Sequence, residues 1–165
     1  PTNKNLDEIP VFNSRLEREY WCGTSDPFER NQGGRYLCTA LGIINRTPHY
    51  GTATRMAQIT DGASNTMMYS EKWLNSDRYD SGDWHDDRGW TDGYDPDVVR
   101  STALLPRADS PTDIGYSPFA FGGAHPGGMN ACFGDGSVHY IPYDVDPIVL
   151  NRWGNREDER ETVSP

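Results

Sequence analysis

No stretch of this chain approaches the roughly 20 consecutive apolar residues that a helical membrane span requires; its apolar segments are all short. No signal peptide is visible, and Pro1 in place of Met suggests a processed chain. Positive charge is scarce: 15 Lys and Arg stand against 25 Asp and Glu, a formal charge of −10. Such a field repels a phosphate backbone, so nucleic acid is excluded as a partner. Cysteine is nearly absent. Cys22, Cys38 and Cys132 are an odd number and include no C-x-x-C pair, so zinc is not expected.

Long uninterrupted helices are excluded by what is plentiful. Seventeen Gly and twelve Pro demand frequent turns and short elements. Mean hydropathy is low, −0.80, yet aromatic residues make up 12% of the chain, which argues for a folded unit with an aromatic core rather than disorder. Neither repeats nor a linker divide the sequence, and residues 1–165 are expected to form a single globular domain.

Along the chain, a short helix is expected over Asn13 to Tyr20, a buried segment over Arg35 to Asn45 and a helical turn or two over Ala53 to Ile59. Thr66 to Trp73 reads as a strand leaving a tight turn. Asn75 to Asp97 is too rich in Asp and Gly for a regular buried element and reads as a long loop. Val98 to Leu105 is expected as a strand ended by Pro106. The strongest local signal is a hairpin, with Met129 to Phe133 and Ser137 to Tyr143 flanking the turn residues Gly134, Asp135 and Gly136. Asp146 before Pro147 places an N-cap ahead of a helix-initiating proline, so Ile148 to Trp153 is expected as a short helix stopped by Gly154. The fold class that follows is α+β, loop-rich, with a mainly antiparallel sheet.

Four separated pieces carry a family likeness. His125, nine residues, then Asp135 and Gly136 lie inside Phe121 to Ile141, FGGAHPGGMNACFGDGSVHYI; a second block, ITDGASNTMMYSEKW, runs from Ile59 to Trp73 and contains Asp61, Gly62, Ser64, Asn65 and Glu71. Weaker pieces are WCGTSDP, Trp21 to Pro27, and the late DVDPIVLNRW. Together they resemble the prepilin-type proteins of planctomycete bacteria with an H-X9-DG signature, grouped as domain of unknown function 1559. The resemblance implies a pilin-like head whose N-terminal pilin helix is absent from this chain, at the cell surface, outside the cell or in the periplasm. It implies partners that are protein subunits, this chain included, and contact with a membrane only through that helix. It implies location and mode of assembly rather than a reaction, so no catalytic residue is assigned.

Several constellations stand beside the resemblance. His125 and Asp135 are open to two readings, a charge-assisted pair of the kind found in hydrolase triads or a structural pin between a Gly-rich loop and a turn. The structural reading is preferred, because acid–base catalysis needs a third positioned group and Ser137 lies in no Gly-x-Ser-x-Gly elbow. Asp61, Ser64, Asn65 and Thr66 read first as a turn closed by short polar side chains, and a cation site there would require Glu71 to fold back. Asp77, Asp80, Asp83 and Asp86 recur every third residue and suggest calcium, although acidic loops are more often solvated surface. Trp73, Trp84, Trp90, Tyr79 and Tyr94 surround the same loop, which makes a glycan-binding module the alternative function; the plainer reading has the rings anchoring the loop. In an oxidising compartment Cys22 and Cys38 could close a disulfide worth roughly 3 kcal/mol, leaving Cys132 as a buried strand thiol.

Overall fold

The computed structural model describes residues 42–44, 53–92, 97–112, 117–157 and 165. The expected helix near Asn13, the weaker motif near Trp21, the Cys22–Cys38 pair, Tyr94 and most of the buried segment from Arg35 lie outside these residues. Within them the protein is α+β and loop-rich. Five strands are present, β1 (Met67–Ser70), β2 (Arg107–Ala108), β3 (Gly122–Gly123), β4 (Gly128–Phe133) and β5 (Val138–Pro142), with one α-helix, α1 (Pro147–Trp153), and several single 3-10 turns.

The main sheet is antiparallel in the order β1-β4-β5, with β4 in the middle, and β2 and β3 form a separate parallel pair. Alternation along β4 decides which face is core. Met129, Ala131 and Phe133 are buried, joined by Ile141 from β5 and Met67 from β1, and α1 closes this face with Leu150 and Trp153. Trp153 meets the Phe133 ring edge-on at 5.8 Å. Side chains of the other phase point outward: Tyr69 stands opposite Cys132, and Cys132 opposite Val138. The strand period of two thus places Cys132 on the half-buried outer face. This corrects the expectation of a buried thiol.

The hairpin follows its turn chemistry. Gly136 N–H donates to Phe133 O at 2.9 Å and Phe133 N–H donates to Ser137 O at 2.9 Å, closing a three-residue loop. Gly136 sits at φ 87°, the left-handed position such a loop requires. Helix α1 begins as its sequence directs: the Asp146 carboxylate accepts from the amides of Ile148 (2.8 Å) and Val149 (3.2 Å), and Pro147 occupies the first turn. Because this cap satisfies two amides of a helix only seven residues long, Asp146→Ala is expected to cost about 1 kcal/mol. A lowered urea midpoint with an unchanged m-value would register it.

Two expectations are corrected. Val98 to Leu105 forms turns rather than a strand, because Ser101 diverts the backbone: its hydroxyl accepts from Ala103 N–H at 3.2 Å and its carbonyl from Leu104 N–H at 3.3 Å. The strand instead follows Pro106, at Arg107–Ala108. The strand expected over Thr66 to Trp73 is regular only over Met67–Ser70 and carries an irregularity between Met67 and Tyr69, after which the chain leaves β4 to bridge Phe121 through Lys72. The long loop after Asn75 is present, with 3-10 turns at Ser76–Arg78 and Trp90–Asp92.

Candidate functional site

Glu71 is the junction of the fold. Its amide donates to Asn130 O at 3.1 Å and its carbonyl accepts from Gly122 N–H at 3.1 Å, so one residue ties β4 to β3. The carboxylate reaches back over the same strand: Oε2 accepts from Asn130 N–H at 2.7 Å, and Oε1 lies 3.3 Å from both Asn130 Nδ2 and His125 Nε2. His125 Nε2 is also 3.4 Å from Asn130 Nδ2. The loop carrying His125 is held from the other side by the Tyr143 hydroxyl, which donates toward the carbonyls of Gly123 (3.0 Å) and His125 (2.9 Å).

His125 therefore pairs with Glu71 and not with Asp135. The two signature residues flank opposite ends of β4, an extended six-residue strand, and no side chain spans that length. Asp135 turns instead to Ser137, accepting from its amide at 2.9 Å and its hydroxyl at 2.7 Å. Those two bonds, the hydroxyl first, hold the Asp135 carboxyl below its ordinary range. His139 Nε2 meets the same Ser137 Oγ at 2.9 Å. In a nucleophilic triad the imidazole takes the hydroxyl proton and the carboxylate stands behind the imidazole. Here the order is reversed, since the hydroxyl already gives its proton to Asp135 and the ring can only donate to Oγ.

The block from Asp61 forms the predicted turn. Asn65 Nδ2 donates to Asp61 O at 3.1 Å and Thr66 Oγ1 to Gly62 O at 3.0 Å, while Ser64 is exposed. This turn docks on the hairpin loop: Gly134 N–H donates to Thr66 O at 2.9 Å and Asp135 N–H to Ala63 O at 3.2 Å. The chain leaving α1 seals the other side, with Asp61 N–H donating to Arg156 O at 3.3 Å. The two strongest motif blocks thus meet twice, once at the hairpin loop and once at Glu71. Sequence reasoning missed the second meeting and the part played in it by Asn130, which no spacing announces.

The acidic loop is organised by cations and rings of the protein itself. Lys72 pairs with Asp86 and donates to Asp97 O at 2.7 Å, and the buried Asp97 carboxylate accepts from the amides of Asp87 (2.7 Å) and Arg88 (3.2 Å). Asp83 accepts from Trp84 N–H at 2.8 Å, Asp77 lies in the 3-10 turn capped by Asn75, and Asp80 is exposed. Among the described residues no three His, Cys, Asp or Glu side chains are grouped to hold a metal ion, so Asp77, Asp80, Asp83 and Asp86 do not converge. Trp73 is fully buried beside the buried His85, while Trp84 packs edge-on against His85 and Phe119. Trp90 is 84% exposed.

Tyr79 donates to Asp109 at 2.6 Å, and this bond, with some desolvation, pushes its hydroxyl up to about 12. Tyr143 is pushed up to about 12 chiefly by burial, with Asp109 adding to it. Both phenols are held neutral in the folded chain at a pH where an unfolded chain ionises them. The stability they give is complete below pH 10 and is lost as pH rises toward about 12. The urea midpoint is accordingly expected to fall across that window, together with a rise in tyrosinate absorbance, and to fall less steeply in Tyr79→Phe.

No curated protein and no solved structure matches this chain. Among the described residues no helix is long and apolar enough to cross a membrane. A family match does exist, over residues 18–148, and it takes in the Asp61 turn, the Glu71 junction and the His125-to-Gly136 hairpin just described. The chain belongs to the family described as protein of unknown function, DUF1559.

Proposed function

We propose that this domain is an exported, non-enzymatic subunit of a pilin-like or secretion-associated assembly at the cell surface, with other protein subunits, itself included, as partners. The observation that carries the reading is how the signature residues are used. Asp135 and Gly136 make a hairpin loop, the Asp61-to-Thr66 turn docks on it, and Glu71 and His125 fasten the strand between. Polar side chains committed to backbone and to one another hold a scaffold, whereas catalysis needs groups poised toward a substrate. The outer face of the sheet supports the same reading, since Tyr69, Val138 and Tyr140 lie exposed on it, with Tyr69 and Val138 on either side of Cys132 of the central strand and Tyr140 two residues along β5 from Val138.

Electron microscopy and cross-linking of the full chain in its native envelope test this. A filament or a stable complex containing the protein is the expected result, and a monomer at every concentration overturns it. The alternative is a glycan-binding surface module using the acidic and aromatic loop, favoured by the exposure of Trp84 and Trp90 at 54% and 84%. Under that alternative the monomer binds a glycan array and Trp90→Ala abolishes the signal.

A further inference from the structure

Strand β5 is an edge of the main sheet, with β4 on one side and, among the described residues, no strand on the other. Two bonds fix which of its backbone groups are committed. Phe133 N–H donates to Ser137 O at 2.9 Å and Tyr143 N–H to Gly127 O at 3.2 Å, so by antiparallel alternation residues 137, 139, 141 and 143 turn toward β4. The amides and carbonyls of Val138 and Tyr140 therefore point away from the sheet. Edge strands that stay alone are blunted by a bulge, a charge or a proline. On the opposite edge, β1 has its irregularity between Met67 and Tyr69. The register of β5 is unbroken, and Ser137 to Tyr143 contains no Lys, Arg, Asp or Glu in a chain of formal charge −10. Val138 and Tyr140 are both exposed and both strong strand formers. The one proline, Pro142, stands at the end, where it limits pairing without preventing it.

This edge is complementary to itself. Turned about a two-fold axis through His139, a second β5 sets Val138 opposite Tyr140 and Tyr140 opposite Val138, and each pair exchanges two N–H···O bonds. The sequence selects that register. An axis through Tyr140 would bring in Pro142, which has no N–H to give, and an axis through Val138 would bring in Gly136, which is held in the hairpin loop at φ 87°. On the outer face the selected register twice sets a β-branched side chain against an aromatic one, a favourable cross-strand combination. The uncharged strand is also where a second acidic copy meets no carboxylate, with Asp135 and Asp144 flanking it at its two ends. We propose that β5 pairs antiparallel with β5 of a second copy, joining two three-stranded sheets into one. The inference rests on the assembly reading above and names an interface for it.

Sedimentation and amide hydrogen exchange of the full chain across a concentration series test the pairing. Mass is expected to rise from 18.5 kDa toward twice that value, more readily at high salt, which screens Asp135 and Asp144. The amides of Val138 and Tyr140 should exchange freely in the monomer and slow in proportion to the dimeric fraction, while those of His139 and Ile141 are protected throughout. Val138→Pro removes an outward N–H without breaking a bond to β4, so it should abolish the dimer and leave the protection of Ile141 intact. Free exchange of Val138 and Tyr140 at every concentration, or a dimer that survives Val138→Pro, overturns the proposal, and the first result decides it even if that variant fails to fold. Association or filament formation with these two amides still exchanging freely overturns this interface and leaves the assembly reading standing, whereas a monomer at every concentration overturns both.

Discussion

Phe133→Ala is expected to lower the unfolding free energy by about 3–5 kcal/mol, a large share of the roughly 5–15 kcal/mol that keeps a domain folded. Phe133 is fully buried at the end of the central strand, opposite Met67, with its ring edge-on to Trp153 (5.8 Å) and to His139 (5.2 Å). Truncation therefore leaves a cavity bounded by both the sheet and α1, elements that cannot collapse into it independently. The strand also begins the hairpin loop on which the Asp61 turn docks, so the loss should spread to that contact. Thermal and urea denaturation of the variant measure the effect. Phe133→Leu, which preserves most of the apolar volume, should cost markedly less.

Gly122→Ala is expected to cost about 3 kcal/mol, at the upper end of overpacking effects. A methyl group at this position would run into the carbonyl oxygen of Arg107 and lie 3.0 Å from Cβ and 3.1 Å from Cα of Trp73. Two of these atoms are backbone, and Trp73 is fully buried, so nothing nearby can yield by a rotamer change. Gly122 also donates to Glu71 O and pairs with Arg107 across the parallel strands. The damage should therefore fall on the link between β2, β3 and the main sheet and expose the Trp73 ring. A red shift of tryptophan emission accompanying the loss of stability would identify that route. Native emission in a protein of unaltered stability would mean that the approach of β3 to Trp73 is looser than described.

The two large effects lie on parts of the fold that differ in how legible they were. The β4–β5 hairpin could be read directly, because Met129, Ala131 and Phe133 alternate and Asp135-Gly136 is a turn pair with one dominant geometry. Helix α1 was equally plain, since Asp146 and Pro147 act within their own turn. Local chemistry also decided the Asp61 turn, whose bonds span four residues. By contrast, β2 and β3 are two residues each, too short for any alternation to register, and exist only because distant segments are brought together. The same limit explains His125. Its true partner, Glu71, lies far away in sequence, while Asp135 lies near in sequence and at the far end of an extended strand. Val98 to Leu105 misled in the opposite way: its apolar residues serve a small cluster around Phe119, and Ser101 sets the backbone.

These particulars give the family signature a physical meaning. The histidine and the aspartate sit where one central strand begins and ends, and each is fixed by a partner outside or beside it. Glu71 and the Asp61 turn, from the second block, meet those two ends. The spacing of the signature is thus the length of β4 with its two connections.

The most direct test of this account is native-state amide hydrogen exchange at Asn130, Gly134 and Asp135. Their donors go to the Glu71 carboxylate, Thr66 O and Ala63 O at 2.7, 2.9 and 3.2 Å. All three amides should be protected nearly as strongly as that of Phe133, and Glu71→Gln should lower protection at Asn130 while sparing Gly134. Exchange of these amides at the rate of an unstructured chain, while Phe133 stays protected, would contradict the claim that the two blocks are fastened to each other.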